Sequence, residues 1–204
     1  LKLARIATGR QAVLACSHGF HGMTLGALAC TANSYFRDAA GVELDNVVRI
    51  PFENDAGGGV EQVKELRCAL ADSSSGQPPL AAVLVEAIQA EGGVNVASAE
   101  YLQELQRLAR ERGALFIIDD IQAGCGRTGS YFSFEGMGLD PDIITLAKGI
   151  GGFGTPMAMN LNKPEIDRHW KPGQHTGTFR GQDLSFVAGR EALRFFTDDT
   201  FLAG

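Results

Sequence analysis

Long apolar runs are missing from this chain. No stretch approaches the roughly 18 consecutive apolar residues that span a bilayer, so no membrane-spanning helix is expected. Charge is sparse as well: 21% of the 204 residues are charged and the net charge is −6. Without a basic stripe to grip a phosphate backbone, nucleic acid is not an expected partner. The four cysteines, Cys16, Cys30, Cys68 and Cys125, show no C-x-x-C spacing. That speaks against zinc or a disulfide framework and for reduced thiols in the cytoplasm. His18 and His21 suggest a metal pair, yet no further His, Cys or carboxylate cluster completes a site, and no metal is expected. No signal peptide is recognisable. Internal repeats and low-complexity tracts are lacking, and no methionine precedes Leu1, so the chain is expected to be cut from something longer.

Apolar residues, at 45%, are enough to bury a core as one domain or a large piece of one. Leu1 to Arg10 looks like the last turns of a helix with Gly9 near its end, and Ala12 to Cys16 reads as a strand. The segment Ser17-His-Gly-Phe-His-Gly22 is either an ordinary Gly-rich turn or one that offers the face of Phe20 at a strand end. A helix over Met23–Thr31, a short strand over Asn46–Ile50 and a helix over Val60–Leu70 follow. Asp72 to Pro79 is a surface loop. Leu80 to Val85 is the next buried strand. It ends in Glu86, with Glu91 close behind, and these carboxylates either do acid–base work or cap turns.

Ser98 caps a helix that reaches Arg112, with Gly113 just past its end. Strand–helix–strand alternation of this kind predicts an α/β fold with a mainly parallel sheet flanked by helices. Late in the chain, Pro156-Met-Ala-Met159 is strand-like, Lys163–Trp170 is a short helix, His175–Gly181 a polar loop and Asp183–Phe196 a helix.

The chain is organised around Ala114 to Lys148. One apolar run, Ala114-Leu-Phe-Ile-Ile118, ends in Asp119 and Asp120; a second, Ile143-Ile-Thr-Leu-Ala147, ends in Lys148. Parallel sheets bind ligands outside the carboxyl ends of their strands. A carboxylate and an amine delivered there suit pyridoxal phosphate: the amine holds the cofactor covalently, and the carboxylate keeps its pyridine nitrogen protonated. The plainer reading makes Asp119 a turn cap and Lys148 a solvated charge; the residues around them favour the chemistry.

A dinucleotide site is the natural rival, since G-x-G-x-x-G occurs at Gly124–Gly129 and at Gly149–Gly154. That motif must open a helix directly after a strand. The first copy runs into the aromatic stretch Ser130–Phe134 and the second into Pro156, so neither has the context.

Asp119-Asp-Ile-Gln-Ala-Gly-Cys-Gly-Arg-Thr-Gly129, followed by Thr145-Leu-Ala-Lys-Gly149, resembles the signature of class III aminotransferases, which are fold-type I pyridoxal phosphate enzymes. Phe20-His-Gly22 is similar to the family's aromatic-His-Gly turn. Val85-Glu86 with Gln89 and Glu91-Gly-Gly93 is similar to its Val-Glu-Pro…Gln-Gly-Glu segment. Asp120 stands where the family has Glu, and Ala87 where it has Pro.

The resemblance implies that the chain is most of the cofactor-binding large domain, with Lys148 as the Schiff-base lysine and Asp119 paired with the pyridinium nitrogen. It implies that Phe20 stacks on the ring and Gln122 hydrogen-bonds its 3-hydroxyl. Thr178 would reach the cofactor phosphate of a neighbouring subunit, which implies a homodimer or a larger homo-oligomer. The family's Ser-Gly-Thr phosphate cup would precede Leu1, and its small C-terminal domain would follow Gly204, so the chain by itself is expected to be inactive. Within the family, Ile118–Gly126 and Gly177–Gly181 are most similar to members of ectoine biosynthesis, which move the amino group of glutamate onto aspartate 4-semialdehyde. Other family members act on ornithine, 4-aminobutyrate or acetylornithine.

Overall fold

The computed structural model describes residues 1–152, 154–197 and 200–203. Its helices are α1 (Lys2–Thr8), α2 (Leu25–Cys30), α3 (Ser34–Arg37), α4 (Val60–Ala71), α5 (Ala99–Arg112), α6 (Pro164–Asp167), α7 (Asp183–Leu193) and α8 (Thr200–Ala203). The strands are β1 (Ala12–Cys16), β2 (Val47–Ile50), β3 (Leu80–Val85), β4 (Ile88–Gln89), β5 (Asn95–Val96), β6 (Leu115–Asp119), β7 (Ile143–Leu146) and β8 (Met159–Asn162).

Six strands form one sheet in the order β2-β1-β3-β6-β7-β8. All neighbours are parallel except β7 and β8, which are antiparallel. Every residue of β1 and β3 is buried, because helices cover both faces and leave no strand face for water. Side-chain alternation then sorts each strand between two cores. Leu14, Val83, Val85, Phe116 and Ile118 meet Leu102, Leu105, Leu108 and Ala109 of α5 on one face. Val13, Ala15, Ala82, Leu84 and Ile117 meet Leu3 and Ala4 of α1 on the other. The α5 helix starts where Ser98 accepts the Tyr101 N–H and stops at Gly113 in the left-handed region.

The edges depart from expectation. The run beginning at Pro156 becomes a strand only at Met159: proline has no N–H to give a ladder. Polar Asn160 and Asn162 then suit an edge position. The helix expected over Lys163–Trp170 is confined to α6, and α2 starts at Leu25. α3, opened by Asn33 accepting from Tyr35 N–H, and the β4–β5 hairpin were not expected; elements of two to four residues carry no periodicity. Among the described residues no helix is long and apolar enough to cross a membrane.

From β1 the chain goes to β2 on one side and to β3 on the other. That reversal opens a crevice at the carboxyl ends of β1 and β3, the place where open α/β sheets take ligands.

Candidate active site

Asp119 is the last residue of β6, and the register sets it opposite Thr145 of β7. Its Oδ1 accepts from the Thr145 hydroxyl at 3.0 Å and from the Ile121 N–H at 3.3 Å. Its Oδ2 lies 2.8 Å from His21 Nδ1, and the two side chains are only 7% and 3% exposed. His21 is fixed in turn: its N–H donates to the Thr31 hydroxyl oxygen at 3.0 Å, and that hydroxyl donates to the Gly22 carbonyl at 3.1 Å. A cavity of about 190 Å³, lined by Leu3, His21, Ile117, Thr145 and Trp170, opens onto the carboxylate. Asp120 points to the opposite face, as strand alternation requires. There it accepts from the Ser133 N–H at 3.2 Å and from the Ser133 hydroxyl, and burial pushes its carboxyl up. One aspartate faces the crevice and the other ties down a loop.

Lys148 opens a 3₁₀ turn, Lys148–Gly151, at the end of β7. Its φ of 52° lies in the left-handed region, which costs a side-chain-bearing residue about 1–2 kcal/mol. Strain of this kind gathers at functional sites. The exposed Nζ donates to Gln122 Oε1 at 2.5 Å. Behind the turn lies α7. A Cβ at Gly189 would sit 2.9 Å from Met157 Sδ and 3.0 Å from the Ile150 carbonyl oxygen, so glycine lets the helix come this close without displacing either neighbour.

Phe20 leaves β1 half-buried, its ring edge-on to Phe36 at 5.3 Å. Its N–H donates to Glu86 Oε2 at 3.0 Å. Glu86 is 5% exposed. Burial pushes its carboxyl up to about 7; Asp119 adds to the rise, while His21 and Lys148 oppose it. Beside Phe20 a cleft of about 490 Å³ is lined by Ser17, Phe36, Arg49 and Glu91.

The structure thus joins Lys148 to Gln122 directly and brings Asp119, His21, Glu86 and Phe20 together around the crevice. Thr178 stands apart, on the exposed loop before α7, and among the described residues no hydrogen bond links it to this group. Phe153, within the second glycine-rich segment, lies outside the described residues. The two histidines weighed as a metal pair are each engaged elsewhere, His18 with Asp55 at 3.4 Å and His21 with Asp119. Among the described residues no group of three or more His, Cys, Asp or Glu is placed to hold a metal ion. Sequence reasoning assigned no role to His21, Thr145 or Thr31. The strand register would have found Thr145, and the aromatic-His-Gly turn singled out His21 without pointing to its carboxylate partner, whereas nothing local marks Thr31.

The sequence profile of the family "Aminotransferase class-III" matches residues 1–204. The chain is 52% identical over 202 residues to a diaminobutyrate–2-oxoglutarate transaminase of Bordetella parapertussis, covering 98% of this chain and 46% of that protein. It is 50% identical over 204 residues to an uncharacterized aminotransferase of Sinorhizobium fredii, covering 100% and 45%. Among solved structures, the ornithine aminotransferase from Toxoplasma gondii superposes with a TM-score of 0.84 at 28% identity, covering 98% of this chain and 47% of that one. An S-selective transaminase from Arthrobacter sp. with alanine bound gives 0.85 at 27%, with the same coverage. The chain spans about half the length of the curated relatives it matches.

Proposed function

Because the chain belongs to the class III aminotransferase family, whose cofactor is pyridoxal phosphate, we propose that it forms most of the cofactor-binding large domain of a transaminase. The observation that carries this reading is the sheet edge itself. A buried carboxylate backed by an imidazole, an accessible amine and an aromatic ring converge there. This donor set fits a cofactor with a basic ring nitrogen and an aldehyde. Bound pyridoxal phosphate supplies an electron sink for the pair left on the substrate carbon.

The protein supplies the rest. Asp119 stabilises the protonated ring nitrogen, since a nearby anion favours the charged form. His21, Thr145 and the Ile121 N–H hold that carboxylate in one orientation. The amine of Lys148 attaches the cofactor and, once released, carries a proton to and from the substrate carbon. Gln122 holds the amine and the cofactor's hydroxyl side, and Phe20 offers its face to the ring. Thr178, on its exposed loop, reaches the cofactor phosphate of a second copy, so the enzyme works as a homodimer or a larger homo-oligomer.

For substrate, the reading is amino transfer from L-glutamate to aspartate 4-semialdehyde, giving 2-oxoglutarate and L-2,4-diaminobutyrate, in the cytoplasm and in ectoine biosynthesis. It is supported by relatives at 48–52% identity that bear the name diaminobutyrate–2-oxoglutarate transaminase. A second reading, an ornithine or other ω-amine transaminase, draws on the solved ornithine aminotransferase at 28% identity. The 204-residue chain taken alone is proposed to be catalytically silent, a point settled by assaying it beside the full-length enzyme. Two measurements on the full-length enzyme test the rest. Borohydride reduction followed by peptide mass spectrometry should leave the cofactor on Lys148; finding it on Lys163 or Lys171 would overturn the site. With 2-oxoglutarate as acceptor, L-2,4-diaminobutyrate should give the highest kcat/KM of the amines offered. A preference for ornithine or 4-aminobutyrate would reject the substrate and leave the transaminase standing.

A further inference from the structure

We propose that Glu86 is a positioning residue: from the end of β3, its buried carboxylate holds the Phe20 turn at the face where the cofactor ring would lie. The inference rests on the cofactor site proposed above and concerns how that site keeps its shape.

The turn needs holding. After Cys16 the chain leaves the sheet, and His18 takes a φ of 58° in the left-handed region, a conformation that costs a residue of this kind about 1–2 kcal/mol. Three residues of the segment that follows β3 grip it. Glu86 Oε2 accepts the Phe20 N–H at 3.0 Å. Gln89 Nε2 donates to the Ser17 carbonyl at 2.8 Å, and Gln89 is wholly buried. At Gly92 a Cβ would lie 2.4 Å from the His18 carbonyl oxygen, an approach open to glycine alone. The spacing Glu86…Gln89…Gly92 is therefore a clamp for Ser17…His18…Phe20.

Burial makes the clamp costly, since a buried carboxyl group is tolerated only when hydrogen-bonded. Among the described residues, Glu86 has no ion-pair partner, and its one hydrogen bond is to Phe20. Its carboxyl group interacts across the crevice with His21, Asp119 and Lys148. Of the two possibilities raised by the sequence, turn cap or acid–base group, this geometry supports the cap, at a turn that carries a site residue.

The test is a double-mutant cycle on full-length apoenzyme titrated with pyridoxal phosphate and followed by visible absorbance. Glu86→Leu removes the acceptor at similar volume. In the parent background it should weaken cofactor binding about threefold to tenfold, the range for losing an ordinary hydrogen bond. In a Phe20→Leu background, where there is no ring left to position, it should cost much less. Glu86→Gln keeps an oxygen for the Phe20 N–H and should restore affinity close to that of the parent. Equal losses in both backgrounds would overturn the proposal, because a purely structural role does not depend on the ring. So would a folded glutamine variant that loses affinity about tenfold, a result that decides the matter even if Glu86→Leu fails to fold. Failure of the parent to take up cofactor would instead reject the functional reading.

Discussion

Asp119→Asn is the substitution whose consequences the structure fixes most closely. Asparagine has the shape of aspartate, and its Oδ1 can keep the bonds from Thr145 and Ile121 at 3.0 and 3.3 Å. Its amide N–H₂ would meet His21 Nδ1, now 2.8 Å from a carboxylate oxygen, and the imidazole need only present that nitrogen as an acceptor. Stability should therefore fall by no more than about 1 kcal/mol, the worth of a typical hydrogen bond. The charge is another matter. Removing one partner of a buried charge pair costs about 3–5 kcal/mol. If most of that is felt in the reaction barrier, kcat falls by a factor on the order of 10² to 10³. In the full-length enzyme the variant should still be trapped on Lys148 by borohydride, still melt as one transition, and turn over slowly. Asp120→Asn is the matched control: it weakens the tie to Ser133, so it should lower the melting temperature while folded enzyme keeps its kcat. Near-normal turnover in Asp119→Asn, or the large loss in Asp120→Asn instead, would show that the wrong carboxylate faces the ring.

Stability should also report Glu86 through pH. Its folded value is raised from 4.5 to about 7, so between those limits the folded state binds more protons than the unfolded one, and stability falls as pH rises. Urea unfolding of apoenzyme should lose about 3 kcal/mol from this group between pH 4.5 and 7. Glu86→Gln should remove that slope, and an unchanged slope would refute the assignment. At the back of the Lys148 turn, Gly189→Ala would crowd Met157 Sδ and the Ile150 carbonyl oxygen. Overpacking of this sort costs about 1–3 kcal/mol. Cofactor trapping at Lys148 should slow with it, and wild-type kinetics would mean that α7 does not set the turn.

Where the sequence was legible, a physical constraint acted over a few neighbouring residues. The continuous apolar runs of β1 and β3 follow from burial on both faces, and Ser98 and Gly113 mark α5 because helix ends must satisfy their own backbone. Lys148 and Asp119 could be placed because strand ends are written locally, in runs that stop at a charge. The partnership of His21 with Asp119 spans 98 residues, and no local pattern encodes it; only the order of the strands brings the two together. The choice between Asp119 and Asp120 depended on which face of β6 meets the crevice. The antiparallel direction of β8 was hidden for the same reason, since a short edge strand reads alike in either direction. Glu86 was visible as a strand-end carboxylate, but its acceptor role depends on where a turn 66 residues earlier comes to rest.

The close fit of α7 behind the Lys148 turn has a consequence in time. Gly189 follows Lys148 by about forty positions. At a synthesis rate of about 5–20 residues per second, it is made about 2–8 seconds later. Throughout that interval the lysine has left the ribosome's active centre without the helix that braces its left-handed backbone. Cofactor capture should then wait for α7, however early Lys148 is made. Ribosome-bound chains arrested before and after α7 emerges, treated with pyridoxal phosphate and borohydride, would show the cofactor joining only the longer ones.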